Sequence, residues 1–424
     1  MNPTKRTLLL LGLLVPSIAF ADEIERAPIH YDTAPTDNRI SRFEKNALAP
    51  SSKDPRSFLK AMLAELKIPE SSQVLVFSRT SLQRRKIAPE TPRAIYFNDD
   101  LYFGTCQDSN LFEISAVDKK LGVVFYSTEF QSDKPTKFVR HNDACMSCHG
   151  SSATAGYPGH MVRSVFPDAE GYPLLSLGSY RVDHRTPFKQ RWGGWYVTGF
   201  GGKQTHLGNR LFTGEADRDQ VDPKAHNRAD LRGLVDVSSY LQPHSDLVAL
   251  MVLEHQAEMQ NLFTRANFQT RIGEHQDQQL NVELGRSKND MSDTTWRRIQ
   301  SVGEQTLKYL LFSEEASLTE PISGTSSFAK DFAKLGPRDG KGRSLRDLDL
   351  KTRLFRHPCS YLIYSEQFQA LPTAMKDYIL RRLHAILTGR DSRPAFGHLS
   401  PGDRRAILEI LRETLPNLPD YWRS

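Results

Sequence analysis

Leu111-Phe112-Glu113-Ile114-Ser115 and Gly122-Val123-Val124-Phe125-Tyr126, separated by Asp118-Lys119-Lys120, decide how this chain is read. Both runs are rich in β-branched and aromatic side chains, which suit a pleated surface, and the residues between them favour a turn. Similar runs lie upstream at Gln73-Val74-Leu75-Val76-Phe77-Ser78, Arg93-Ala94-Ile95-Tyr96-Phe97 and Leu101-Tyr102-Phe103-Gly104, the last two divided by Asn98-Asp99-Asp100. Together they predict a small antiparallel sheet. Pro173-Leu174-Leu175-Ser176-Leu177-Gly178-Ser179-Tyr180 and Gly194-Trp195-Tyr196-Val197-Thr198-Gly199 continue in the same style downstream.

The second half changes character. From Ser245 to Asn267 there is neither proline nor glycine, and Met251, His255, Met259 and Leu262 recur on one helical stripe. Further helices are predicted over about Thr294 to Leu311 and over Thr373 to Leu387. The last helix has a readable start, with Ser400 as cap, Pro401 in the first turn and Asp403 completing a capping-box-like pair before Ile407, Leu408, Ile410 and Leu411. Residues 316–345 are polar and rich in Gly, Ser and Lys, and read as a mobile loop. The expected class is α+β: a β-containing region over 22–240 and a mostly α-helical region over 241–424.

At 424 residues, with 38% hydrophobic and 25% charged residues, the chain has enough apolar content for a core. Collagen-like, fibrous and wholly disordered readings are excluded. A net charge of +6 is mild and does not form a nucleic-acid footprint. Lys5 and Arg6 precede an apolar run of leucines that ends at Ala19-Phe20-Ala21, the pattern of a secretory signal peptide over residues 1–21. That run is short for a membrane span, which needs about 20 apolar residues, and no other segment approaches that length. The expectation is an exported, periplasmic protein with no membrane span after cleavage.

Export bears on the four cysteines. Cys145-Met146-Ser147-Cys148-His149 places two thiols three positions apart with a histidine adjoining, so that both could form thioethers to the vinyl groups of one haem while His149 lies under the iron as proximal ligand. A thioredoxin-like dithiol would sit where a strand ends and a helix opens, whereas the flexible stretch Gly150 to Gly159 follows this motif. A zinc site would need two more ligands, and no second Cys-x-x-Cys or His-x-x-x-His is present. Cys106 and Cys359 could form a disulfide in an oxidising compartment, or stay as buried thiols.

On Cys145, Cys148 and His149 the chain resembles the c-type cytochromes. More loosely, Arg191-Trp192-Gly193-Gly194-Trp195-Tyr196-Val197-Thr198-Gly199 and Ser360-Tyr361-Leu362-Ile363-Tyr364-Ser365 look like those of exported proteins carrying a single haem-c motif. The resemblance implies one covalent haem c and names no reaction. It also departs from the small all-α cytochrome c fold, where the motif opens a short helical domain; here the motif is central and follows a predicted sheet.

The iron's far side would decide the function. A strong ligand there favours electron transfer with periplasmic redox partners, and an open position admits a small-molecule oxidant, as in a peroxidase-like oxidoreductase. Distal candidates are His160, Met161, His206 and His255; in an enzyme, His160 or His206 would serve as acid-base group. His184 could be a hydrogen-bonding partner oriented by Asp183. Arg163, Arg181, Arg185 and Arg191 are candidates for holding haem propionates, and Trp192 and Trp195 could pack on the porphyrin.

Overall fold

A computed structural model describes residues 23–46, 52–132 and 134–423. The expected signal segment, residues 1–21, lies outside them. Six strands pair antiparallel in chain order: β1 (Val74–Val76), β2 (Arg93–Phe97), β3 (Leu101–Thr105), β4 (Leu111–Asp118), β5 (Gly122–Glu129) and β6 (Val139–His141). The central hairpin runs in register from Leu111 opposite Glu129 to Asp118 opposite Gly122. Its turn is fixed locally. The Asp118 carboxylate accepts the Lys120 and Leu121 N–H groups at 2.9 and 3.1 Å. Gly122 takes φ +71°, and a Cβ there would overlap Thr264 and the Pro158 carbonyl.

Because strand side chains alternate, the sheet feeds two cores. Leu75, Ala94, Tyr96, Phe103, Phe112 and Ile114 pack with Phe58, Leu59, Met62 and Leu63, which belong to α2 (Pro55–Glu65); α1 (Arg39–Asn46) precedes it. Val74, Val76, Phe97 and Tyr102 share a core with the C-terminal helices. The motif lies on α3 (Asp143–His149), directly after β6, so, contrary to expectation, it does sit where a strand ends and a helix opens.

The helical half is built on α4 (Leu247–Glu283), which runs well beyond the expected stretch. Asp246 caps it by accepting the Val248 and Ala249 N–H groups. Leu247 to Asn261 are buried without interruption, so this is a central helix enclosed on every side. α5 (Asp293–Leu310) packs along it, with Gly273 against Thr295; α7 (Thr373–Leu387) then packs on α5, with Gly303 against Tyr378. A Cβ at either glycine would overlap its neighbour. α8 (Pro401–Thr414) carries the full capping box, with Ser400 and Asp403 reciprocally bonded. The molecule is thus an α+β protein with its sheet in the N-terminal half and its helices mostly in the C-terminal half.

Three further expectations are corrected. Gly194 to Gly199 is not a sheet strand: positive φ at Gly194 and Gly199 breaks it, and only isolated bridges join Trp195 to Val76 and Thr198 to Asp246. Of residues 173–180 only Ser179 and Tyr180 fall in a strand, β8 (Ser179–Arg181), which pairs with β7 (Arg163–Val165). Residues 316–345, read as a loop, carry α6 (Phe328–Lys334) and bury Leu318, Ile322, Phe328, Phe332 and Leu345. A few apolar anchors are enough to seat that polar stretch. Of the two alternatives for Cys106 and Cys359 the structure has the buried free thiols; Cys359 lies in the helical core and Cys106 follows β3. Among the described residues no helix is long and apolar enough to cross a membrane.

Candidate functional site

β6 pairs with β5 and delivers the chain into α3, a helix in which Cys145 and His149 are partly buried and no residue is fully so. Cys145 and Cys148, three positions apart, fall on one side of it. Cys145 is half-buried, Cys148 is exposed, and neither is in a disulfide. The loop after the helix folds back on it: Ser151 Oγ donates to the Cys148 carbonyl (2.7 Å), while Thr154 Oγ1 and the Gly159 N–H both donate to the His149 carbonyl (2.9 and 3.0 Å).

The returning loop also orients the imidazole. His149 Nδ1 donates to the Gly159 carbonyl at 2.9 Å. A carbonyl can only accept, so Nδ1 carries the proton and Nε2 keeps its lone pair. No described group bonds Nε2. The ring rests against Phe125, centroids 4.7 Å apart, and burial holds its pKa below the ordinary value, so the ring stays neutral. Burial, reinforced by Glu113, pushes the Cys145 thiol up to about 11. A redox dithiol is activated by a lowered thiol pKa, and the shift at Cys145 runs the other way. Among the described residues no three His, Cys, Asp or Glu side chains converge on a metal position.

The other histidines are committed elsewhere. His160 is buried, its Nε2 2.8 Å from Ser115 Oγ and its Nδ1 3.1 Å from Gln260 Oε1. Since an amide oxygen accepts, Nδ1 donates and Nε2 accepts the Ser115 hydroxyl proton. The Tyr102 ring lies tilted against His160, centroids 4.0 Å apart, and its hydroxyl donates to the same Gln260 oxygen, while Asn261 clamps the His160 backbone at both N–H and C=O. His206 is buried beside Trp192 and His226, its Nδ1 accepting the Gly208 N–H. His255 lies in the helical core with Nδ1 2.9 Å from His184 Nδ1 and Nε2 2.9 Å from Ser360 Oγ. His184 is therefore partnered by His255, while Asp183 serves Arg185. Met161 is half-buried.

The arginines divide. Arg191 is fully buried in an ion pair with Glu254, its guanidinium also donating to the Thr186 and His184 carbonyls. Trp192 donates to the same carboxylate and Trp195 to the Arg163 carbonyl, so both indoles are core fixtures. Arg163 bonds Ser179 Oγ. Arg181 and Arg185 meet at Glu258, with Arg185 also on Asp183. The Glu254 and Glu258 roles had a signal: two acids four apart on an otherwise apolar helix must find cations if the helix is buried.

Comparison with protein-family models, with curated proteins and with solved structures finds no match. The fit of a haem therefore rests on the donor set. Two free thiols on one side of a helix, and beside them a neutral imidazole whose Nε2 has no hydrogen-bond partner among the described residues, are the groups that covalent attachment and proximal ligation require.

Proposed function

We propose that this chain is an exported mono-haem c-type cytochrome that passes electrons in the periplasm. Cys145 and Cys148 would hold the haem as thioethers and His149 would be its proximal ligand. When bound, the haem supplies a one-electron couple. The protein's part is to hold the His149 ring by the Gly159 carbonyl, which fixes the tautomer and raises the basicity of Nε2, and to keep that ring neutral by burial. That anchored imidazole beside two free thiols is the observation that carries the reading. Without Lys5 and Arg6 of the signal segment the net charge is +4, which favours acidic redox partners at low ionic strength.

The test is expression in a host with a haem-attachment pathway, followed by the absorption spectrum in denaturant. Haem should stay on the parent chain, be lost from the Cys145→Ser/Cys148→Ser double variant, and stay attached with altered iron ligation in His149→Ala. A parent chain free of covalent haem overturns the reading.

A second reading, a peroxidase-like haem oxidoreductase, is favoured by one observation: His160 and His255 spend both ring nitrogens on hydrogen bonds within the protein, so neither is free to close the iron, and of the two acid-base candidates only His206 keeps a nitrogen, Nε2, without such a bond among the described residues. Carbon monoxide added to the reduced protein separates the two. Rapid binding supports an open site and a small oxidant as substrate; an unchanged spectrum supports a closed site and electron transfer.

A further inference from the structure

Beside the motif loop lies a cavity of about 370 Å³. Its walls come from four parts of the chain: Thr154 and Ala155 after the motif, Arg181 and Arg185 around β8, Glu258, Asn261 and Arg265 of α4, and Lys308 and Tyr309 of α5. The volume suits a small ligand, and the lining is polar, with four cations against the carboxylates of Glu258 and Glu314.

These charges are unequally spent. Glu258 is buried and already engaged by Arg181, Arg185 and Asn261. Arg265 has only the Gln305 amide oxygen, at 2.7 Å, and among the described residues neither Arg265 nor Lys308 has a carboxylate within 4 Å. Two cations from adjacent helices thus line one cavity without an ion pair among the described residues, beside an arginine pair that shares a buried acid. Guanidinium and ammonium groups gathered this way recognise oxyanions through charge-assisted hydrogen bonds.

We propose that this cavity binds a small oxyanion, with Arg265 and Lys308 as its principal contacts and Arg181 and Arg185 as its preset floor. The proposal uses none of Cys145, Cys148 and His149. Its walls nevertheless support the motif: Thr154 Oγ1 holds the His149 carbonyl, and Asn261 holds the His160 backbone next to Gly159.

Calorimetric titration of the mature full chain at low salt tests this, with inorganic phosphate and succinate as probes to separate an inorganic from an organic oxyanion. At least one should bind saturably at one site per chain. Its Kd should rise about tenfold or more in Arg265→Gln and in Lys308→Gln, each losing one charged contact, and stay unchanged in Arg286→Gln, which lies outside the cavity. Melting of the unliganded variants at the parent temperature shows that they fold. Saturable binding by neither probe, or binding that survives the Arg265→Gln/Lys308→Gln double change, overturns the proposal. Either result is readable with or without haem, so its failure is distinct from failure of the cytochrome reading.

Discussion

At His149 one hydrogen bond decides which nitrogen carries the proton, and the acceptor is a backbone carbonyl ten residues on. The motif residues were legible because the chemistry is written in consecutive positions. Their acceptor was not, because Gly159 reaches His149 only when the intervening loop closes. A Cβ on Gly159 would overlap the Asn261 amide oxygen, so Gly159→Ala should displace that loop and cost about 1–3 kcal/mol in denaturant unfolding. The histidine candidates show the same division. Their identities were visible, and their partners, Ser115 and Gln260 for His160 or His184 and Ser360 for His255, come from distant segments.

Those buried rings also set a pH dependence. Burial lowers His160 and His255 to about 3 from an ordinary 6.5, so both stay neutral in the folded chain while the unfolded chain takes up their protons below 6.5. Stability should be full above about pH 6.5 and fall towards pH 3, by about 1.4 kcal/mol per pH unit for each histidine. Urea unfolding from pH 7.5 to 4 measures the slope, which should be shallower in His255→Gln. Equal stability at pH 7 and pH 4.5 would contradict the assignment.

Among the elements, legibility followed how local the signal is. The β4 and β5 hairpin and the start of α8 were readable because pattern and cap lie within a few residues. Replacing Ser400 by Ala removes the side-chain half of that capping box and should cost about 1 kcal/mol, read as a lower melting temperature. Two elements escaped the pattern. Gly194 to Gly199 has strand-like side chains on a backbone that its glycines turn aside, and α6 is a short helix in a polar stretch whose Phe328 and Phe332 become anchors only against the rest of the core. The far end of α4 was missed because beyond Asn267 the helix turns largely polar.

For the whole molecule, the question left open by the sequence was whether the two halves are independent. The expected boundary at 240/241 crosses a shared core, in which Val74, Val76, Phe97 and Tyr102 of the sheet pack with α4 and the helices beyond it, while Phe268 and Ile272 of α4 return to the sheet's other face. Denaturant unfolding followed by near-ultraviolet and far-ultraviolet circular dichroism should therefore show one coincident transition. The same burial isolates Cys106 and Cys359. A thiol reagent should label neither in the native protein and both, without prior reduction, in denaturant; two thiols that appear only after reduction would mean a bridge.

The central claim, that Cys145 and Cys148 carry one haem, is tested most directly by the intact mass of the mature chain made with the attachment machinery, followed by peptide mapping. The account predicts a mass increment of one haem, located on the peptide containing both cysteines. An unmodified chain, or haem that extracts from the acidified protein, would contradict it.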